Sequence, residues 1–280
     1  MLWATMDPVL LHAAVGCAAV IAVCWVLGLA TGEHSWVDRL WSIVPVPYTA
    51  WFAWQTGFGD LRLTVMTALV ALWGARLTFN FARKGGYARG GEDYRWPVLK
   101  GRMGRWQWEL FALLFVAGFQ NVLLLLITLP AWAALEGAST QPGGGVPFGP
   151  LDAVATLLFL AFLAGETIAD EQQWRFHQDK KARLARGEAL ERPFLTTGLF
   201  AWSRHPNFFC EQAIWWCLCL FAVSATGRWL DASFVGAAVL TALFQGSTRF
   251  TEEISLSKYP SYAEYQKRTS RLWPLPPKAR

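Results

Sequence analysis

Apolar residues along this chain come in runs of about 20, the length that crosses bilayer hydrocarbon as an α-helix, separated by short polar stretches. The pattern predicts seven spans: Pro8–Ala30, Trp36–Gly57, Leu61–Ala82, Trp108–Ala133, Leu151–Trp174, Phe208–Ala225 and Trp229–Gln245. Pro45 and Pro47 should kink the second, a break tolerated only where backbone faces protein or water. The fifth and seventh should run on as helix past the membrane, because Glu166–Lys181 and Arg249–Lys258 are rich in helix formers. Trp3, Trp36, Trp54, Trp106, Trp108, Trp132, Trp174 and Trp229 fall near span ends, as aromatic belts do. The expected fold is an all-α, multi-pass transmembrane bundle of about seven helices, with residues 1–280 forming a single membrane domain.

Composition agrees with a membrane protein and excludes an ordinary soluble domain: 54% of residues are hydrophobic and only 16% charged, where a soluble chain carries about a quarter. Met1–Asp7 has no Lys or Arg and the run after it is too long for a signal core, so the first helix should be retained. Charge sets the orientation. Seven Lys/Arg lie between Arg83 and Arg105, seven from Arg175 to Arg204 and seven from Arg249 onward, while the alternate loops hold only Arg62 and Arg228. The positive-inside rule then puts the N-terminus outside and the C-terminus in the cytosol, with 83–107, 175–206 and 249–280 as cytosolic segments. A bacterial inner membrane and an endoplasmic reticulum obey the same rule. Topology and anionic lipid account for the basic excess, so nucleic acid is not expected as a partner.

Cys17, Cys24, Cys210, Cys217 and Cys219 all lie in or beside apolar spans, and the four His are scattered. Neither a disulfide nor a metal site is expected. Gly85–Gly91 (GGYARGG) follows a membrane helix with no strand before it, so it is not a dinucleotide turn. Pro142–Pro150 (PGGGVPFGP) reads as a flexible outer linker.

Polar residues inside the spans carry the functional reading. Arg76 and Asn80 are four apart on the third span, Gln120 and Asn121 sit mid-fourth, and Glu166 and Asp170 are four apart near the end of the fifth, with Trp174 one turn on. Gln245, Thr248, Arg249 and Glu252 close the seventh. In GLFAWSRHPNFFCE, Arg204, His205, Asn207 and Glu211 stand at the mouth of the sixth span. Pro206 suits a helix entry, and Asn207 and Glu211 share a face. Ionisable groups at this depth are functional candidates by default; interhelical glue is the plain alternative, at even odds for Gln120 and Asn121. Arg and carboxylate together suit a large charged cofactor in a cytosolic cavity, which the three basic segments would cap. The tail, with Tyr259, Tyr262 and Tyr265 among basic groups and Leu272–Trp273–Pro274 as an apolar anchor, is expected to fold back as a lid.

The segments GLFAWSRHPNFFCEQAIWW (198–216) and EEISLSKYPSYAEYQKRTSRLWP (252–274) resemble the C-terminal half of the steroid 5-alpha-reductase family, and more closely its branch known as DUF1295. SWVDRLWSIVP (35–45), LWGARLTFNFARKGGY (72–87), GEDYRWPVLKGRMG (91–104), FQNVLLLLITLP (119–130) and ETIADEQQWRFHQDKK (166–181) extend the resemblance over nearly the whole chain. It implies a seven-helix fold with NADPH in a cytosol-facing cavity and hydride transfer to the conjugated C=C of a lipid enone. By motif position Asn207 matches the family's cofactor-binding Asn and Glu211 the Glu after it. Asp170 and Glu166 match the cofactor-lining helix. Arg76, Arg204 and His205 would hold phosphates, with Trp174, Glu252 and Tyr262 completing the cofactor site. The steroid enzymes bind the substrate carbonyl with a Glu on the second helix and a Tyr on the third; here Asp38 lies one residue off, and the third helix offers Trp73 and Arg76. Asp38 or Tyr94 is therefore the candidate polariser.

The Arg-His-Pro signature is shared with isoprenylcysteine carboxyl methyltransferases, so a SAM-dependent methyltransferase is the rival reading, with Glu252–Glu253 and an Arg gripping SAM. A non-catalytic lipid-binding protein is the third. All three imply a lipophilic small molecule and membrane lipid as partners.

Overall fold

A computed structural model describes residues 7–140, 145–189 and 193–278. Residues 142–144 of the expected linker, and Trp3 of the expected belt, lie outside them. Among the described residues every regular element is a helix and there is no strand, only an isolated bridge between Ser203 and Ser270. Five helices among them are long and apolar enough to cross a membrane: Pro8–Thr31, Leu61–Arg83, Arg105–Ala138, Pro150–Ala185 and Pro206–Thr226.

The second expected span is two short helices, α2 (Trp36–Leu40) and α3 (Pro45–Trp54), following α1 (Pro8–Thr31). Pro45 explains the break: it has no N–H and a φ suited to a helix start, so it opens α3 rather than continuing α2. Ten residues of helix reach only about 15 Å, half the hydrocarbon thickness. After α4 (Leu61–Arg83) and α5 (Arg95–Lys100) comes a long path built from α6 (Arg105–Phe111), a π-helical stretch over Ala112–Phe119, α7 (Gln120–Leu126) and α8 (Leu129–Thr140). Then follow α9 (Pro150–Ala185), α10 (Pro206–Thr226), α11 (Val235–Lys258) and α12 (Tyr262–Arg268). α9 and α11 do continue well past their apolar runs.

The chain divides into two compact units. The first comprises Met1–Leu157 and Trp216–Leu240, the second Leu158–Trp215 and Thr241–Arg280.

In the first unit α3 packs on α4 and α8, and α1 on α7 and the π-helical stretch. Gly74 permits the α4 approach, because a Cβ there would stand 2.4 Å from the Ser42 carbonyl oxygen. Gly236 does the same for the start of α11, where a Cβ would meet the Leu126 carbonyl at 2.2 Å. One buried ion pair ties three segments of this unit. Arg62 donates Nε to Asp152 Oδ1 at 2.7 Å and Nη2 to Oδ2 at 3.0 Å, and its other donors meet the carbonyls of Val146 and Pro147. Ser224 adds a donor to Asp152 at 2.8 Å. Asn121, fully buried, gives its amide to Ala117 O at 2.8 Å and to the Cys24 sulfur of α1 at 3.5 Å.

In the second unit α9 and α10 run close together. A Cβ on Gly165 would lie 3.0 Å from the Cys210 sulfur, and Phe162 meets Phe209 edge to face.

Candidate functional site

In the second unit the residues singled out from the sequence form two groups. Glu166 and Asp170, one turn apart on α9, are both buried, as is Glu211 on α10. Asn207, in the first turn of α10, donates Nδ2 to Asp170 Oδ1 at 3.4 Å, and Trp215 donates Nε1 to Glu211 Oε1 at 3.0 Å. The i,i+4 spacing within each helix puts these side chains on a shared face. The result is three buried carboxylates on two helices, with the Asn207 amide bonded to one of them and the Trp215 indole to another. Groups that suit it are hydroxyls and amide N–H donors. Trp174 lies a turn further along α9, half-buried.

The second group is organised by Glu252 on α11. Arg204 donates Nε to Glu252 Oε1 at 2.6 Å and Nη2 to Oε2 at 2.9 Å. His205 Nε2 lies 3.0 Å from Oε1, and Gln266 Nε2 donates to Oε2 at 3.0 Å. Burial pushes this carboxyl up, but the hydrogen bonds from His205, Arg204 and Gln266 outweigh it and bring the group down to about 2. The remaining Arg204 donor, Nη1, reaches the carbonyls of Gln266 and Thr269. All three nitrogens of this guanidinium are thus engaged inside the protein, as is one nitrogen of His205.

What this ion pair holds is the tail. The backbone N–H groups of Arg204 and His205 meet the carbonyls of Ser270 and Arg271, and Ser203 Oγ donates to Leu272 O at 2.8 Å. Tyr265 gives its hydroxyl to Phe200 O, Tyr262 packs edge-on against Phe194, and Trp273 lies against Phe209. The aromatic tail therefore docks on the loop before α10. Tyr262 is buried in that cluster. Beside it, a cavity of about 430 Å³ is lined by Phe194, Thr196, Tyr265 and Arg268.

Asp38, Tyr94 and Arg76 belong to the first unit. Asp38 Oδ2 accepts from the Trp96 indole N–H at 2.7 Å. Burial pushes its carboxyl up to about 7; Trp96 pulls it down, Asp93 raises it and Arg95 lowers it, and burial prevails. Near neutral pH this acid carries its proton for much of the time, so it can donate a hydrogen bond. Tyr94 precedes α5 and is half exposed. Arg76 is half-buried on α4. Asn80, also on α4, accepts from Arg83 Nε at 3.0 Å.

Sequence reasoning missed two arrangements in this unit. Arg39, on α2, reaches Glu33 at 2.5 Å and the carbonyls of Gly86 and Ala88. Glu33 in turn accepts from Gly90 N–H at 2.8 Å. The glycine-rich loop wraps around a guanidinium, which explains its composition: Gly85 and Gly90 have φ of +83° and +76°. The other is His34, whose Nε2 lies 3.3 Å from Glu109 Oε2 across 75 residues of sequence. Neither residue falls in a motif, and only the alternation of α1 with α6 brings them together.

These features define an integral membrane protein: all-helical, with five helices of spanning length and buried polar clusters. The chain belongs to the family described as protein of unknown function (DUF1295), whose model matches residues 24–269. An uncharacterized protein of the fission yeast Schizosaccharomyces pombe is 38% identical over 266 residues, covering 90% of this chain and 76% of the relative. No solved structure matches the chain.

Proposed function

We propose that this protein is a membrane-embedded reductase that uses NADPH to saturate a conjugated C=C bond in a lipid or steroid-like enone, as the steroid 5-alpha-reductase family does. The observation that carries the reading is the presence on α9 and α10 of three buried carboxylates, Glu166, Asp170 and Glu211, together with the Asn207 amide. Ribose hydroxyls and a nicotinamide carboxamide present the donors that such a cluster binds. NADPH, when bound, supplies hydride for the β-carbon of the enone. A carboxylic acid that keeps its proton near neutral pH, as Asp38 beside Trp96 does, is the kind of donor that would stabilise the enolate of such a reaction. A proton from water completes the α-carbon.

The fit is one-sided. The carboxylate cluster suits sugar and amide, but Arg204 is poorly suited to a phosphate, since four of its five N–H donors are already committed to Glu252 and the tail carbonyls. Its role is to position the docked tail. The same geometry argues against the methyltransferase reading. Glu252 already receives four donor contacts, which leaves it no lone pair for the ammonium of SAM.

The test is equilibrium binding of labelled NADPH and labelled SAM to the detergent-purified full chain. Saturable NADPH binding, lost in Asp170→Ala and Asn207→Ala and kept in Asp38→Asn, is the expected result. SAM binding without NADPH binding overturns the proposal.

A further inference from the structure

A second cavity, of about 750 Å³, lies in the first unit and is lined from the end of α1 and the turn after it (Trp25, Leu29, His34), the end of α5 (Lys100) and the start of α6 (Trp108, Glu109). Its volume is within the roughly 300–1,000 Å³ that small-molecule sites occupy. Its wall is mixed in character. Leu29 is 56% exposed on α1, and Trp25 and Trp108 flank the His34 ring at centroid distances of 6.4 and 5.5 Å. Two exposed cations share the wall, Lys100, whose Nζ stands 5.7 Å over the Trp108 ring, and Arg105. An apolar helix end and two cations lining one hollow match the two parts of a lipid, chain and phosphate.

The third element is an acceptor. Glu109 keeps 39% of its side chain exposed while His34 Nε2 holds one oxygen. His34 Nδ1 and the Trp108 indole nitrogen, both buried on lining residues, have no hydrogen-bond partner among the described residues, a cost that a group able both to donate and to accept offsets. Two cations with one carboxylate match a headgroup in which phosphate stands beside a hydrogen-bond donor. We infer that this cavity binds a glycerophospholipid whose headgroup carries a hydroxyl or ammonium donor, glycerol or ethanolamine, with the phosphate on Lys100 and Arg105, the donor on Glu109, and an acyl chain along Trp25 and Leu29. A choline headgroup has the phosphate but no N–H or O–H to offer. The site is independent of the NADPH reading, since it uses none of the residues assigned there.

Native mass spectrometry of the detergent-purified full chain, with equal amounts of dioleoyl phosphatidylglycerol, phosphatidylethanolamine and phosphatidylcholine added, tests it. The glycerol and ethanolamine lipids should form retained adducts in excess over choline. The double variant Lys100→Glu/Arg105→Glu should lose about fivefold per cation removed. Glu109→Gln should narrow the excess over choline while keeping phosphate-dependent adducts. Both changes are at exposed or half-exposed positions, and an unchanged gel-filtration profile verifies folding. Equal adducts of all three lipids on the wild type, or undiminished adducts on the double variant, overturn the proposal.

Discussion

Asp38 is an acid whose ordinary value of 3.8 is raised by burial to about 7. The folded protein therefore holds a proton that the unfolded chain has released between those values, and stability falls as pH rises from 3.8 to 7. Asp38→Asn keeps an acceptor for the Trp96 indole and removes the titration. At pH 8 the variant should melt at or above the wild-type temperature, while under the proposed function enone reduction drops roughly a hundredfold or more. Thermal melts at pH 5 and pH 8 alongside turnover measure both. A variant that is inactive and also destabilised at pH 8 would mean that the carboxylate is structural. Asp38 was legible as an acid at the edge of an apolar run. Its partner was not, because Trp96 lies 58 residues away and no local pattern announces a long-range hydrogen bond.

At the scale of elements, hydrophobic periodicity located the helices well, and proline chemistry told where α3 begins. The destination of the charges was less readable. Arg204 was expected to face phosphate, but the carboxylate it meets is 48 residues on, and spacing within α10 gives no hint of it. That pair fastens α12 and the tail. Arg204 and Glu252 keep only 9% and 7% of their side chains exposed, so Glu252→Gln leaves a buried guanidinium without its counter-charge, a loss of about 3–5 kcal/mol. Trypsin should then cut at Lys267, Arg268 and Arg271 much faster than in the wild type. Acid should mimic the change. The carboxyl's folded value of about 2 lies below its ordinary 4.5, so its contribution is complete above pH 4.5 and is lost as pH falls toward 2. Pepsin sensitivity of the tail should rise through that window in the wild type and stay flat in the variant. Arg62, read only as a loop charge, proves to be a second such fastener. Arg62→Ala strands the buried Asp152 carboxylate and should cost about 3–5 kcal/mol, much of it restored when Asp152→Asn is added. Denaturation of the single and double variants in mixed micelles gives the coupling.

For the whole molecule the open physical question is how many times the chain crosses. Five helices meet the requirement by length and apolarity, and α11 is the decisive further one. Its 24 residues extend about 36 Å, enough for hydrocarbon some 30 Å thick, but only the half up to Phe244 is apolar, and Gln245, Thr248, Arg249 and Glu252 follow. Glu252 is paired with Arg204, so the polar half carries no unmatched carboxylate at this position. Positive charge asks the same of α11: Arg228 before it stands nearly alone, whereas the chain from Arg249 onward carries seven Lys/Arg. The two ends should therefore lie on opposite faces. Trp229, 68% exposed before α11, and Lys267, with 70% of its side chain exposed after it, are suited to report this as single cysteines. All five native cysteines are buried, so they give little background to a membrane-impermeant maleimide. In sealed right-side-out vesicles Trp229→Cys should label and Lys267→Cys should not, with the pattern reversed after inversion. Labelling of both from one side would show that α11 lies along the membrane and would remove its crossing from the topology.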